Sequence, residues 1–405
     1  MMRCSGLPPY PTSACAMKLL AISHPCVTPI NQAFFAAIEQ FAACEVTLIV
    51  PETWNSKYGK IESVERLPSF RGKIITIPVL FNGNIPIHFY RGSIQKIIKQ
   101  VSPDFIFVHH DPHTSVAGQF ILENRTSIPF GFYAAQNINK SYPFPFSWFE
   151  KKMFSQASIA FPLSHSVLEV LRSKGYRNDA TVLPLPFDAS LFQPNSERRQ
   201  RMRSSLGISP DTFIVGYLGR LTPEKGVDLI IDALLQLQDK QWAAVIAGSG
   251  PEEEKLRTTA QRAAQPSRFH FVGYVPHEQA ASILNCFDVL VVPSRTTSSW
   301  KEQFGRVIIE AMACGVPVIG SDSGEIPFLI DQTQGGTTFT EDDPTSLARR
   351  ISNIIDNREY RDELSERGLR SAQEHFTTQS IARQFYRSVS EVIDSSREKL
   401  STKTA

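Results

Sequence analysis

No run of apolar residues in this 405-residue chain reaches the ~18 needed to cross a bilayer as a helix. The opening stretch MMRCSGLPPYPTSACA holds Pro, Ser and Cys but no apolar core, so it does not read as a signal peptide. Residues 1–16 are expected to form a disordered extension, with MKLLAIS from Met17 as the first strand. A cytoplasmic protein is therefore expected. Cysteine is sparse and unpatterned: Cys4, Cys15, Cys26, Cys44, Cys286 and Cys314 form no CxxC pair and no Cys/His cluster, which argues for inert thiols in a reducing compartment. Charge of one sign is also missing, because the net charge is only +2, and no global field points to nucleic acid. No acid cluster and no Asp-x-Asp triplet stands at a strand end, so no metal and no cofactor are expected.

The sequence does show alternation. Strand-like segments at 18–23, 46–50, 105–109, 130–134 and 159–163 are separated by helical stretches at 31–42, 94–101, 115–125 and 166–174. That order predicts parallel sheets covered by helices, an α/β fold. Residues 74–92 read as two further strands around a turn at Asn82-Gly83-Asn84. The proline-rich stretch TVLPLPF at 181–187 reads as a linker, and a second series of strands comes after it at 213–217, 243–247, 269–272, 289–292 and 317–320. At this length the pattern suits two domains, 17–188 and 189–376. A terminal helix at 377–400 has Phe385 and Tyr386 available to pack back on the first domain.

Open parallel sheets bind ligands at the carboxyl ends of their strands. Three junctions in the second half carry suitable chemistry. In GYLGRLTPEKG, a strand ends at Gly219 and Arg220 and Lys225 come next as cationic donors for a diphosphate. AGSGP at 247–251 is a glycine turn after a strand, equally at home as a plain sharp turn. EQFGRVIIE at 302–310 sets Glu302 in a loop and a helix start near Phe304-Gly305, where free amides suit an anionic phosphate. Glu310 falls about 7 Å farther along that helix at 1.5 Å per residue, so the two carboxylates can address two parts of one elongated ligand. The plainer alternative makes Glu302 a cap and Glu310 a satisfied half-buried acid.

Together these residues resemble the family-4 retaining glycosyltransferases. The carrying pattern is Glu302, seven residues, Glu310, with GRLTPEKG, AGSGP, FVGYV, DVLVVPS and EAMACGVPVIGSDSGEIP in the expected order. The resemblance implies the GT-B architecture, two Rossmann-like domains facing each other across a deep cleft, with the first on the acceptor side and the second binding a nucleotide-sugar. It implies that Arg220 and Lys225 hold the donor diphosphate, that Glu310 accepts from the ribose, and that Glu302 binds hydroxyls of the transferred sugar. Gly219 and the amides of Gln303, Phe304 and Gly305 would complete that cradle, with Val275 near the base. His110, in FVHHDPH, would face the sugar and the acceptor, while His109 points into the sheet. The first loop, HPCVTPINQ, departs from the family by having no glycine.

The implied partners are a UDP- or GDP-linked sugar and a glycan or lipid-linked acceptor, in cell-envelope or exopolysaccharide assembly. Gln136 and Asn137, just after a strand end, are the candidate acceptor contacts. The aromatic and lysine-bearing stretch YPFPFSWFEKK at 142–152 offers either a peripheral contact with the inner face of the plasma membrane or an ordinary packed loop and helix. Another enzyme on the same scaffold (an epimerase or a phosphorylase) and a catalytically silent sugar-nucleotide binder are the competing readings.

Overall fold

A computed structural model describes residues 16–56 and 59–404, so the extension expected at 1–16 lies almost wholly outside the described residues. The chain divides into two compact units. One holds the chain up to Phe132 with Pro145–Ser158 and the end from Val389. The other holds Tyr133–Phe144 and Ile159–Ser388.

The first parallel sheet contains β1 (Met17–Ile22), β2 (Cys44–Pro51), β3 (Lys73–Ile77), β4 (Phe105–Val108), β5 (Phe130–Ala134), β6 (Ile159–Pro162) and β7 (Asp179–Ala180). Their spatial order is β7-β6-β5-β4-β1-β2-β3. The second contains β8 (Phe213–Leu218), β9 (Trp242–Ala247), β10 (Phe269–Gly273), β11 (Val289–Val292), β12 (Val318–Ser321) and β13 (Gly336–Phe339), in the order β10-β9-β8-β11-β12-β13. Both sheets are doubly wound: the strand order reverses once, beside β1 in the first and beside β8 in the second. Such reversals open a crevice at the carboxyl ends of the central strands.

The sequence builds these sheets through unbroken apolar runs, as expected for strands covered on both faces. Phe105–Val108, Trp242–Ala247 and Val289–Val292 are buried throughout. Covering helices start on side-chain caps: Thr114 accepts from the Ala117 amide, Ser164 from Val167 and Asp343 from Ser346. The core of the second sheet joins Val215, Tyr217, Val289 and Val291 to Ile230, Leu234 and Leu347 from the covering helices. Cys26, Cys44, Cys286 and Cys314 are buried and free, and burial pushes each thiol up to about 12.

The 74–92 stretch differs in detail from its expected pair of strands. Lys73–Ile77 joins the main sheet as β3, and the hairpin across the turn is only Val79–Leu80 with Phe89–Tyr90. The aromatic and lysine-bearing stretch supplies the helix Phe146–Gln156. The terminal helix runs Thr378–Thr404. Its Phe385 ring lies 4.8 Å from that of Phe161 in β6, and Arg397 donates to Asp104 at 3.2 Å. Among the described residues no helix is long and apolar enough to cross a membrane.

Candidate functional site

In the second sheet the reversal falls between β8 and β11, and the loops leaving these two strands build one polar site. After β8, the Gly219 amide bonds to the Ala247 carbonyl at 3.0 Å, and Tyr217 donates its hydroxyl to the Arg220 carbonyl at 2.7 Å. The glycine turn after β9 supports this loop from behind. A Cβ on Gly248 would sit 1.7 Å from the Gly219 carbonyl oxygen, and one on Gly250 would sit 2.2 Å from that of Leu221. AGSGP is therefore glycine-rich because two backbones touch there.

After β11 the chain crosses toward the same loop and is tied to it. The Arg295 amide donates to the Glu224 carbonyl at 2.8 Å, and its guanidinium grips both Asp228 oxygens at 2.7 and 2.9 Å. Such bidentate pairs fix orientation as well as distance. Arg295 also donates to Asp342. This bracing brings Lys225 and Glu302 together. The Lys225 ammonium donates to Glu302 Oε2 at 2.6 Å and lies 4.7 Å from the centre of the Trp300 ring. Ser294 donates its hydroxyl to the same carboxylate oxygen at 3.0 Å.

The Glu302 backbone is equally constrained. Its carbonyl accepts from the Asn137 side chain at 2.9 Å and from the Glu325 amide at 3.1 Å. Gln303 reaches the Ala135 carbonyl at 2.8 Å. Gly324 has φ +58°, and a Cβ there would lie 2.1 Å from the Glu302 carbonyl oxygen. Glu325, 2% exposed, turns the other way and accepts from the amides of His165 and Ser166 at 2.9 and 3.0 Å. The SGEIP motif is thus a clamp on the loop that carries Glu302.

Gly305, in the left-handed region, caps the helix Arg306–Ala313. Glu310 lies inside that helix, 5% exposed, with Arg306 Nε 3.0 Å from its Oε1. That oxygen lacks a hydrogen bond of good geometry. Burial raises the Glu310 carboxyl to about 7, against the pull of Arg306.

Lys225, Glu302, Gln303 and Gly305 therefore share one locality at the strand reversal, with Gly219 backing it. Arg220 is 57% exposed at its side chain and faces Glu224 at 3.5 Å, in the same loop but outside the Lys225–Glu302 pair. Phe304 is buried and brings only its backbone to the site. Val275 is half-buried after β10. Asn137, read from the sequence as an acceptor contact, is buried and spends its amide on the Lys301 and Glu302 carbonyls. Gln136 accepts from the Ile138 amide in its own loop at 3.1 Å. Sequence reading missed Ser294, the Asp228–Arg295 brace, Trp300 and Glu325. The strand end DVLVVPSR and the motif SGEIP held the signal for three of them.

In the first sheet the reversal lies between β1 and β4, whose carboxyl ends lead into His24 and into His109-His110. His109 sits beside Ser23, with Nδ1 2.8 Å from its hydroxyl. His110 was expected to face a sugar, but it is 3% exposed and neither ring nitrogen has a partner. Its ring centre lies 4.8 Å from that of His24 and 5.3 Å from that of His88. Burial, then the neighbouring imidazoles, hold His24 and His110 well below the ordinary histidine range, and burial lowers His88 too.

Residues 198–371 match the model of the family described as glycosyl transferases group 1. A putative teichuronic acid biosynthesis glycosyltransferase of Bacillus subtilis is 29% identical over 276 residues, 66% of each chain. A lipopolysaccharide core biosynthesis mannosyltransferase of Rhizobium meliloti is 30% identical over 212 residues, half of this chain and 58% of its own. A D-inositol 3-phosphate glycosyltransferase of Corynebacterium jeikeium is 31% identical over 184 residues, and the chain spans 43% of its length. Among solved structures, the chain superposes on sucrose-phosphate synthase of Thermosynechococcus elongatus with a TM-score of 0.70 at 19% identity, covering 94% of this chain and all of the other. Anabaena HepE in complex with UDP-glucose gives a TM-score of 0.67 at 18% identity, covering 93% of this chain and 100% of the other. These likenesses establish the two-domain Rossmann-like fold known as GT-B.

Proposed function

We propose that this chain, a glycosyltransferase whose residues 198–371 fall in group 1 on a GT-B fold, transfers a sugar from a nucleoside-diphosphate donor to a glycan or lipid-linked acceptor of the cell envelope, with retention at the anomeric carbon. The observation that carries this reading is the Lys225–Glu302 pair at 2.6 Å, held at the strand reversal beside a helix start. A cation, free amides and a carboxylate in one crevice match the three parts of a sugar diphosphate. Lys225 turns from Glu302 to the diphosphate, with Arg220 as a second cation at the exposed rim. Glu302, released from Lys225, accepts from hydroxyls of the transferred sugar. Glu310 accepts from the ribose hydroxyls, which supply the partners its buried carboxylate lacks.

In the transfer itself, the bond from the anomeric carbon to the phosphate oxygen breaks as the bond to the acceptor oxygen forms on the same face. The acceptor hydroxyl gives its proton to the departing phosphate oxygen. Stabilising that oxyanion is the larger task, and fixed cations and amides perform it without reorganising. Lys225 and Arg220 take the part that a divalent metal plays elsewhere, so no metal at the diphosphate is required. The cell-envelope setting draws on relatives whose names refer to teichuronic acid and lipopolysaccharide core synthesis.

The test is a panel of UDP- and GDP-sugars with release of nucleotide as readout. One donor should turn over, and Glu302→Ala should abolish turnover while circular dichroism stays unchanged. Full turnover in Glu302→Ala, or phosphate-dependent release that points to a phosphorylase, would overturn the reading.

A further inference from the structure

We propose that His24, His88 and His110 bind one divalent transition-metal ion of the zinc class at the strand reversal of the first sheet. One ring nitrogen from each of the three residues lies within 4.8 Å of the other two. Zinc–nitrogen bonds of about 2.0–2.1 Å in a tetrahedron put ligand nitrogens about 3.4 Å apart. Small rotations about the side-chain torsions close that gap.

The hydrogen bonding favours ligation over plain packing. His88 Nδ1 lies 2.9 Å from the Ile85 carbonyl oxygen and 3.2 Å from that of Asn84. A carbonyl accepts only, so Nδ1 carries the proton and Nε2 presents its lone pair. That lone pair is buried and has no partner. An imidazole whose far nitrogen is tied to a backbone carbonyl is the usual outer-shell arrangement of a metal ligand. His110 is buried with both nitrogens unpaired, and His24 Nδ1 is buried and unpaired as well, so each leaves a ring nitrogen open to a ligand. Orphaned polar atoms of this kind are costly, and one partner shared by three that converge would satisfy them together.

The donor set selects the ion. Three neutral nitrogens with no carboxylate among them suit zinc, cobalt, nickel or copper, and are poor for magnesium or calcium, which take oxygen. Trp54 packs on the rings of both His24 and His88 at 5.0 and 4.9 Å, giving an apolar wall. Three protein ligands leave a fourth position for a water or an anionic group, the open form of a zinc site.

The site rests on the three histidines and not on the Lys225–Glu302 pair, and the experiment separates the two readings. Full-length protein is stripped with chelator, loaded with Zn²⁺, desalted and assayed for zinc by mass spectrometry. A parallel Co²⁺ sample is read by visible absorption, where tetrahedral cobalt is intense. About one zinc per chain and the cobalt band are expected. His88→Phe and His24→Gln should each lower zinc affinity at least about 100-fold, while His375→Gln, at an exposed histidine, should leave it unchanged. Circular dichroism checks both cluster variants, and either one alone suffices. Wild-type protein without zinc, or zinc retained undiminished in a folded cluster variant, would overturn the site and leave a stack of imidazoles as its explanation. UDP titration of the same samples reports on the donor site alone.

Discussion

The two sheets wind in the same order, and each opens a crevice where its strand order reverses, yet the crevices are furnished in opposite ways. Beside β8, charge is brought together and satisfied: Lys225 meets Glu302 at 2.6 Å, Ser294 bonds the same oxygen, and Arg295 ties the loops through Asp228. Beside β1, neutral rings are brought together and left unsatisfied, with nitrogens of His24, His88 and His110 lacking partners. The difference separates scaffold from chemistry. Topology selects where a ligand can sit, and the side chains at those strand ends decide which ligand it is.

The contrast is broken most forcefully at Lys225 and Glu302. Lys225→Met should lower kcat by about 10²–10³-fold, the range for removing one stabilising group from a developing oxyanion, and Glu302→Ala, which removes the hold on the sugar hydroxyls, should abolish turnover. Steady-state nucleotide release measures this. If either variant keeps near-normal turnover, the charged crevice is not where transfer occurs.

Gly324→Ala comes next. With φ +58° and the Glu302 carbonyl 2.1 Å from the new Cβ, the loop must shift. Strain of about 1–3 kcal/mol is expected. Thermal unfolding should register it, and donor KM should rise along with the lowered Tm. An unchanged Tm would mean that the SGEIP clamp is slack.

Glu310 gives a pH signature. Its carboxyl titrates at about 7 because of burial, so the unliganded fold holds a proton there that the unfolded chain releases in the ordinary acid range. Stability of the unliganded protein should therefore fall as pH rises through that range to about 7, then level off. Donor affinity should move the opposite way, rising toward pH 7 and above as the carboxylate forms. Glu310→Gln should flatten both profiles and weaken donor binding by about tenfold, the value of a hydrogen bond to a charged group. Titration calorimetry and denaturant unfolding across pH would test it.

The smallest effect sharpens the comparison from the other side. His88→Phe shares no partner with the donor site, so the affinity for nucleotide should change by less than about twofold. A large change would join the two crevices into one functional unit.

The Lys225–Glu302 pair was legible because its residues lie in the loops that leave two strands, within a run of consecutive motifs. The unbroken runs at 243–247 and 289–292 mark buried parallel strands, and the residues just past the end of such a strand face the crevice. The brace was harder to read. Asp228 and Arg295 lie 67 positions apart, and only the adjacency of β8 and β11 brings them together. Glu325 accepts from residues 160 and 159 positions away, so its role emerges once the chain folds back onto Ser164–Ser166. The histidine cluster was invisible for the same reason. His24, His88 and His110 come from three separate stretches, and of the three only His110 was singled out, as facing a sugar by resemblance. Asn137 was read as an acceptor contact because a polar residue after a strand suggests one, and its amide donates to a buried backbone carbonyl that only the folded chain brings to it. The 336–339 strand was missed because Gly-Thr-Thr-Phe, four residues long, carries no apolar run.

The most direct test titrates the protein with UDP, GDP and their glucose and mannose conjugates, comparing wild type, Lys225→Met and Glu302→Gln. The account predicts that Lys225→Met weakens the nucleoside diphosphate and the sugar conjugate alike, while Glu302→Gln weakens the sugar conjugate and spares the bare nucleotide. Equal affinity of all three proteins for every ligand, or binding of none, would contradict it.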